Sequence, residues 1–205
     1  MPLLDYMQGR KLLEKHGIRS VESRYVTSAE DAAKFANGGR IVLKLLSGRA
    51  IHKTKAGLVK LDLDGSKEMA DAYNDLIRKG KKLRPYSVLA QKMAPSGIEM
   101  IVGGKTDAQF GAMLLIGLGG IYVEAFKDVQ LRLCPITRAD ALDMLSELKS
   151  GHAITYDGKA EDMIVKLMLR VSDFLTANKR IKELDLNPVI VRPDSYDVVD
   201  IRIIG

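Results

Sequence analysis

A single cysteine, Cys134, in 205 residues excludes an internal disulfide and fits a reducing compartment. Aromatic residues make up only 5% of the chain, too few for the stacking platform of a single-strand nucleic-acid binder. Long hydrophobic runs are missing too. The longest apolar stretch, after residue 112, is broken by glycines, ends at Glu124 and is too short to cross a bilayer. The opening residues, Met-Pro-Leu-Leu-Asp, carry no basic region ahead of an apolar core, so no signal peptide is expected. There is no internal repeat, low-complexity tract or clear linker, and no Ser-His-Asp arrangement, metal-thiolate cluster or pair of catalytic acids stands out. These absences leave a cytoplasmic, ordinary globular protein of one domain or two closely packed lobes.

What is present is a modest positive charge, +6, carried by scattered basic residues. That balance suits polyanionic small molecules such as ATP and CoA, and neither a nucleic-acid nor a membrane partner is expected. The one dense cluster, Arg78-Lys79-Gly80-Lys81-Lys82-Leu83-Arg84, follows a helical stretch and reads as a solvated helix end whose cations complement the dipole.

Periodicity alternates between helix and strand early and becomes strand-rich later. Helices are expected over residues 4–16, stopped by Gly17; from Ser28 as N-cap; from Ser66 as a cap to about Gly80; from Thr137 to Leu148; and over about 160–177. Strands are expected over 21–26, 41–46, 58–63, 87–93, 98–102, 113–116, 121–124, from 128 to Pro135, 189–191 and 197–203. The two strands around Ala94-Pro95-Ser96-Gly97 read as joined by a turn, and Pro193-Asp194-Ser195 as another turn.

Three glycines in four residues, Gly117, Gly119 and Gly120, end the apolar run. Glycine loses the most backbone freedom on folding, so such density suits a sharp turn or a close approach to a ligand. With Glu124, Asp128 and Arg132 following, the stretch is a candidate phosphate or substrate edge. The longer pattern here, D-x-x-F-G…G-L-G-G-I-x-V-E…D-V…R…P over residues 107–135, resembles the ATP-grasp domain of the NDP-forming acyl-CoA synthetases, and the likeness extends over residues 4–203. It implies an α+β ATP-grasp fold: two α/β lobes, about 1–90 and 91–205, clasping a nucleotide cleft.

Lys44 lies inside the apolar run Ile41-Val-Leu-Lys-Leu-Leu46. A buried, unpaired ammonium is costly, so Lys44 either has an anionic partner or faces solvent on an alternating strand. In the family, a lysine in this strand contacts the nucleotide α- and β-phosphates. His52-Lys53 sits in a loop with Arg49 and Lys55, and close cations keep an imidazole neutral and nucleophilic. The resemblance gives His52 the role of a transient phosphate carrier, with Lys53 beside it. Arg49, Lys55 and Ala56 depart from the family's acidic, glycine-rich version of this loop. Gln91-Lys92-Met93 matches the hinge that contacts adenine, mostly through backbone, with Lys92 reversing the charge of the family's glutamate. Glu99 matches a glutamate near the nucleotide; it could equally be an ordinary strand-edge residue.

Gly103-Gly104-Lys105-Thr106 looks like the end of a P-loop but is not one, because Glu99 stands where the first glycine belongs and no helix follows. Asn187 and Asp200 offer an amide oxygen and a carboxylate across a hairpin, the hard ligands magnesium takes. The alternative is an Asx cap before Pro188 and a plain strand aspartate. In the family, N-P…D-x-R is the metal and phosphate end, which gives Arg202 a phosphate and Asp185 an outer-shell place. The function implied is the β subunit of an ADP-forming acyl-CoA synthetase, using ATP/ADP and Mg2+ and needing an α subunit that carries the CoA-binding and ligase domains. A non-catalytic nucleotide-binding module of the same family, or another ATP-grasp carboxylate ligase, remains the alternative.

Overall fold

The computed structural model describes residues 3–49, 56–119, 128–151 and 159–205. The chain forms two compact units: Val21–Met93, and Met1–Ser20 together with Ala94–Gly205.

The Val21–Met93 unit is a four-stranded antiparallel sheet under two helices. Its strands are β1 (Ser23–Val26), β2 (Ile41–Leu46), β3 (Val59–Leu63) and β4 (Ser87–Lys92), in the order β1-β4-β2-β3. The helices α2 (Ala29–Ala36) and α3 (Ser66–Gly80) cover one face, and a 3-10 turn, Lys81–Leu83, extends α3. Ser28 caps α2 by accepting from Asp31 N, as expected. The cap of α3 is Gly65, with Ser66 already inside the helix: Gly65 has φ +84, which a serine adopts only with strain. Ile41, Leu43 and Leu45 pack with Phe35, Met69, Leu76, Val88 and Ala90 into the core beneath the helices.

The other unit is built on a six-stranded antiparallel sheet. Its strands are β5 (Ile98–Asp107), β6 (Gly111–Leu118), β7 (Val129–Leu133), β8 (Glu183–Val191), β9 (Tyr196–Val198) and β10 (Ile201–Ile204). The order is β10-β8-β5-β6-β7, with β9 continuing along β8. Helices α1 (Tyr6–Lys15), α4 (Arg138–Glu147) and α5 (Glu161–Ala177) lie on one face, contacting β10, β7 and β5–β6 respectively. Helix α1 ends at Gly17 with φ +71 and belongs to this unit, not to a first lobe beginning at the N-terminus, because its Gly9 packs on Ile201 and Ile203 of β10. Leu3 bridges Ile204, and Leu4 N donates to Ile203 O at 2.9 Å, so the start of the chain covers the β10 edge. Thr137 and Asp140 form a reciprocal capping box at α4.

Four further expectations change. Strand β5 runs on to Asp107, through the Gly-Gly-Lys-Thr segment. Glycine is required there because an added Cβ on Gly103 would sit 2.8 Å from Leu184 O, and one on Gly104 only 2.3 Å from Leu175 Cδ1. Strand β8 starts at Glu183, six residues before the expected 189, because its ladders with β5 and β10 carry it across Asn187-Pro188. The last expected strand divides into β9 and β10 around Val199 and Asp200. Finally, β4 and β5 are not a hairpin; they belong to different sheets. The expected strand at 121–124 lies outside the described residues.

Among the described residues no helix is long and apolar enough to cross a membrane.

Candidate functional site

Side chains alternate across a strand, so each sheet sorts the candidate residues by face. In the four-stranded sheet, Val88, Ala90 and Lys92 turn toward the helices, while Leu89, Gln91 and Met93 turn away. Lys44 pairs in register with Leu89 and shares that second face, opposite Leu43 and Leu45. It is 4% exposed on an inner strand, so the solvent-facing alternative does not hold. Gln91 is wholly buried on the same face, and its Nε2 donates to Ser23 Oγ at 3.1 Å. The Ser23 hydroxyl in turn donates to Val21 O at 2.8 Å. Ser23 escaped the sequence reading: it stands 68 residues from Gln91, and no short-range pattern marks it.

Lys92 goes the other way. Its Nζ donates to Ala36 O at 2.7 Å, a last-turn carbonyl of α2, and lies 5.1 Å from the centre of the Phe35 ring. The cation thus satisfies a helix C-terminus and an aromatic face. The amides of Lys92 and Met93 are also engaged: Lys92 N donates to Glu22 O at 3.0 Å and Met93 N to Arg40 O at 3.1 Å. Met93 is an exposed apolar side chain at the end of this strand.

In the six-stranded sheet, Leu184, Leu186, Ile201 and Ile203 face the helices and are buried. Asp185 and Asn187 of β8, and Asp200 and Arg202 beside them, occupy the opposite face. Arg202 is in register with Asp185 and lies 3.7 Å from Glu183 Oε1. Ile201 pairs with Leu186, and Val199 N donates to Pro188 O at 3.0 Å, which sets Asp200 opposite Asn187. Glu99, exposed on β5, shares this face. The β5–β8 register shifts between Met100 and Val102, alongside Asn187 and Pro188. A bulge of this kind re-aims side chains.

Among the described residues no group of three or more His, Cys, Asp or Glu could hold a metal ion. The donor set of Asn187 and Asp200 fits a different demand. Magnesium binds through one or two protein oxygens and takes its remaining ligands from phosphates and water.

The glycines at the end of β6 serve close chain approaches. A Cβ on Gly117 would sit 2.8 Å from Asp128 O, and one on Gly119 would sit 2.9 Å from the Glu99 carbonyl carbon. Gly119 N donates to Glu99 O at 2.7 Å, which holds the backbone of the candidate glutamate. Asp128 is a staple: it accepts from Lys149 N at 2.9 Å, Ser150 N at 2.7 Å and Ser150 Oγ at 2.6 Å. Burial pushes its carboxyl up, but the Ser150 hydroxyl and the two amides outweigh burial and hold it below the usual carboxylate range. Arg132 lies on the helix side, 3.1 Å from Glu147 Oε1 of α4, and is thus no part of a substrate edge on the open face. His52, Lys53, Gly120 and Glu124 lie outside the described residues.

A lysine-bearing sheet under two helices, and a second sheet presenting an amide–carboxylate pair on its uncovered face, define an α+β protein of the ATP-grasp class. The ATP-grasp domain model matches residues 2–204. The β subunit of acetate–CoA ligase [ADP-forming] I from Pyrococcus furiosus is 33% identical over 96% of this chain and 89% of its own length. Acetate–CoA ligase [ADP-forming] I from Archaeoglobus fulgidus is 39% identical over 96% of this chain, which spans only 30% of that longer protein. A solved structure of the dinucleotide forming acetyl-coenzyme A synthetase 1 of Ca. Korarchaeum cryptofilum matches with a TM-score of 0.84 and 34% identity, covering 98% of this chain and 92% of that one. That structure is in complex with coenzyme A and Mg-AMPPCP, its phosphohistidine segment pointing towards the nucleotide binding site. The chain belongs to the ATP-grasp family of the ADP-forming acyl-CoA ligases.

Proposed function

We propose that this chain is the ATP-grasp β subunit of a cytoplasmic ADP-forming acyl-CoA synthetase, moving a phosphoryl group between ATP/ADP and His52. The observation that carries the reading is Lys44: an ammonium 4% exposed on an inner strand, on the face that also holds Gln91 and Met93. Such a group is suited to a polyphosphate, whose charge it would neutralise.

Lys44 would hold the α- and β-phosphates, with Arg202 as a second cation. Gln91, Met93 and the backbone of Lys92 would form the adenine hinge, and Glu99 would stand near the nucleotide. Asn187 and Asp200 would hold Mg2+, with Asp185 behind them; bound there, the ion supplies neutralisation of the phosphate oxygens. The neutral imidazole of His52, with Lys53 beside it, attacks the γ-phosphorus. A P–N bond forms, the bond to the bridging oxygen breaks, and its electron pair leaves with ADP. Run in reverse, the step makes ATP. The phosphoryl group would pass to or from a carboxylic acid and CoA on an α subunit. The departures at Arg49, Lys55 and Ala56 favour one alternative, a module that binds nucleotide without transferring phosphate.

The test is incubation with magnesium and γ-labelled ATP beside His52→Ala. Acid-labile, base-stable label that the variant loses supports the relay. Bound nucleotide with no label, even after an α subunit is added, supports the binding module. No nucleotide binding overturns both.

A further inference from the structure

The positive charge of the chain is unevenly placed. The Val21–Met93 unit holds 15 of the 32 lysines and arginines but only 8 of the 26 aspartates and glutamates, so it carries +7 and the remainder of the chain −1. Within the unit, charge is sorted along α3. Residues 61–75 set Asp62, Asp64, Glu68, Asp71 and Asp75 against one cation, Lys67. Arg40, just ahead of β2, lies on this acidic side, 3.0 Å from Asp62 Oδ1 and 3.5 Å from Asp64 Oδ2. Residues 78–84 bring Arg78, Lys79, Lys81, Lys82 and Arg84 together with no acid at all.

The basic end of α3 sits against the part of β2 that carries Lys44. Gly80 packs so closely on Leu45, the residue after Lys44, that an added Cβ would sit 2.7 Å from Leu45 Cδ1. Just beyond β2, Ser47 Oγ donates to Leu83 O at 2.6 Å and ties the strand end to the 3-10 turn. Asp75 draws on three cations: its Oδ2 is 2.7 Å from Lys60 Nζ and 3.0 Å from Lys79 Nζ, and Arg78 engages its other oxygen. Lys79 Nζ also donates to Gly57 O at 3.0 Å. Lys81, Lys82 and Arg84 are exposed, and among the described residues no carboxylate pairs with any of them. A helix dipole places about half a negative charge at its C-terminus, too little to call for five cations in seven residues.

We infer that Lys81, Lys82 and Arg84 form an electrostatic capture surface for the magnesium nucleotide: they speed its arrival at Lys44 and do not touch it once it is bound. This rests on the nucleotide reading of Lys44 above. The distances suit long-range attraction. Ser47 is three strand residues along from Lys44, about 10 Å. The Debye length is about 8 Å at physiological salt and about 30 Å at 0.01 M, so the cations act on an approaching polyphosphate strongly at low salt and weakly at high salt. The acidic end of α3 repels the same anion and steepens the field toward the Lys44 end of β2.

The experiment is stopped-flow binding of magnesium mant-ATP to the full chain across ionic strengths of about 0.01 to 0.3 M. Wild type is compared with Lys81→Ala/Lys82→Ala/Arg84→Ala and with a control, Lys11→Ala/Lys15→Ala/Lys166→Ala, which takes the same charge from exposed positions of the other unit. Thermal melting is measured on each. The capture variant is expected to associate about 3- to 10-fold more slowly at 0.01 M and to converge on wild type at about 0.3 M, with dissociation within about twofold throughout. The control stays within about twofold of wild type in both rates. Should the capture variant fail to fold, Lys81→Gln/Lys82→Gln carries the same outcomes. Unchanged association at low salt in a folded capture variant overturns the inference. An equal loss in the control also overturns it, by assigning the effect to net charge. A loss carried by faster dissociation makes the cluster a direct contact and overturns it as well. So does duplex DNA binding that the capture variant loses while its nucleotide association is unchanged. Absence of mant-ATP binding by wild type overturns the nucleotide reading of Lys44, and this inference with it.

Discussion

Asn187 stands opposite Asp200 across the β8–β10 register, each next to a residue whose side chain is buried on the helix side of the sheet. A neutral amide oxygen and a carboxylate are thereby set on one open face. Asp200→Asn, which removes charge and keeps shape, is expected to lower affinity for the magnesium–nucleotide complex by at least ~10-fold while leaving the melting temperature within a few degrees. Nucleotide titrations at stepped magnesium concentrations read this. An unchanged magnesium dependence would remove the pair from the metal site.

Lys44→Met separates stability from binding. Met keeps the length of the side chain and discards the ammonium, so melting of the variant reports what the ammonium contributes to the fold, separately from binding. Nucleotide affinity is expected to fall about 10- to 100-fold, the scale of a charge-assisted hydrogen bond worth ~1.5–3 kcal/mol. Calorimetric binding beside thermal melting decides it. Equal losses in both would make Lys44 a structural residue.

Gly104→Ala tests the packing account of the Gly-Gly-Lys-Thr segment. The new methyl would meet Leu175 Cδ1 at 2.3 Å and Met113 O at 2.8 Å, and the second neighbour is main chain that cannot swing aside. A loss of about 1–3 kcal/mol or more is expected in denaturant unfolding. A phosphate-cradling role would show instead as lost nucleotide affinity at unchanged stability.

Acid sensitivity follows from Asp128 and Asp75. Both carboxyls are held below the usual range, Asp75 chiefly by hydrogen bonding from Lys60, then Arg78 and Lys79. A depressed folded pKa means stability that is present above the unfolded value, about 3.9, and lost as pH falls through the folded one. Wild type is therefore expected to lose stability increasingly below about pH 4. Asp128→Asn is expected to be weaker at pH 7 by about 1–3 kcal/mol, since the Ser150 and Lys149 donors lose part of their acceptor, and flatter across the acid range. Denaturant midpoints from pH 7 down to pH 3 check both slopes.

Much of this was legible residue by residue. The apolar spacing of β2, the Ser28 and Thr137 caps and the Gly17 stop are local signals, and the structure keeps them. The register that sets Asn187 opposite Asp200 was legible only as a hairpin that could form. The errors came from partners distant in the chain. Glu183-Leu-Asp-Leu-Asn is polar enough to pass for a loop, yet β5 and β10 draw it into a ladder. Lys92 adjoins Gln91, and composition does not say which way each faces; strand parity and the end of α2 decide that. Ser23, Asp75 and Lys79 carry no motif at all. Their meaning lies in contacts that reach residues 15 to 68 positions away.

Leu3 bridges Ile204 and Leu4 donates to Ile203, so the described stretch begins and finishes side by side on one sheet edge. Such a unit can be spliced into a host polypeptide at a single point, its entrance and exit a few ångströms apart, without prising open any strand ladder. The same geometry makes it a candidate for circular permutation, with a short linker joining residue 205 to the start and new ends opened in a surface turn.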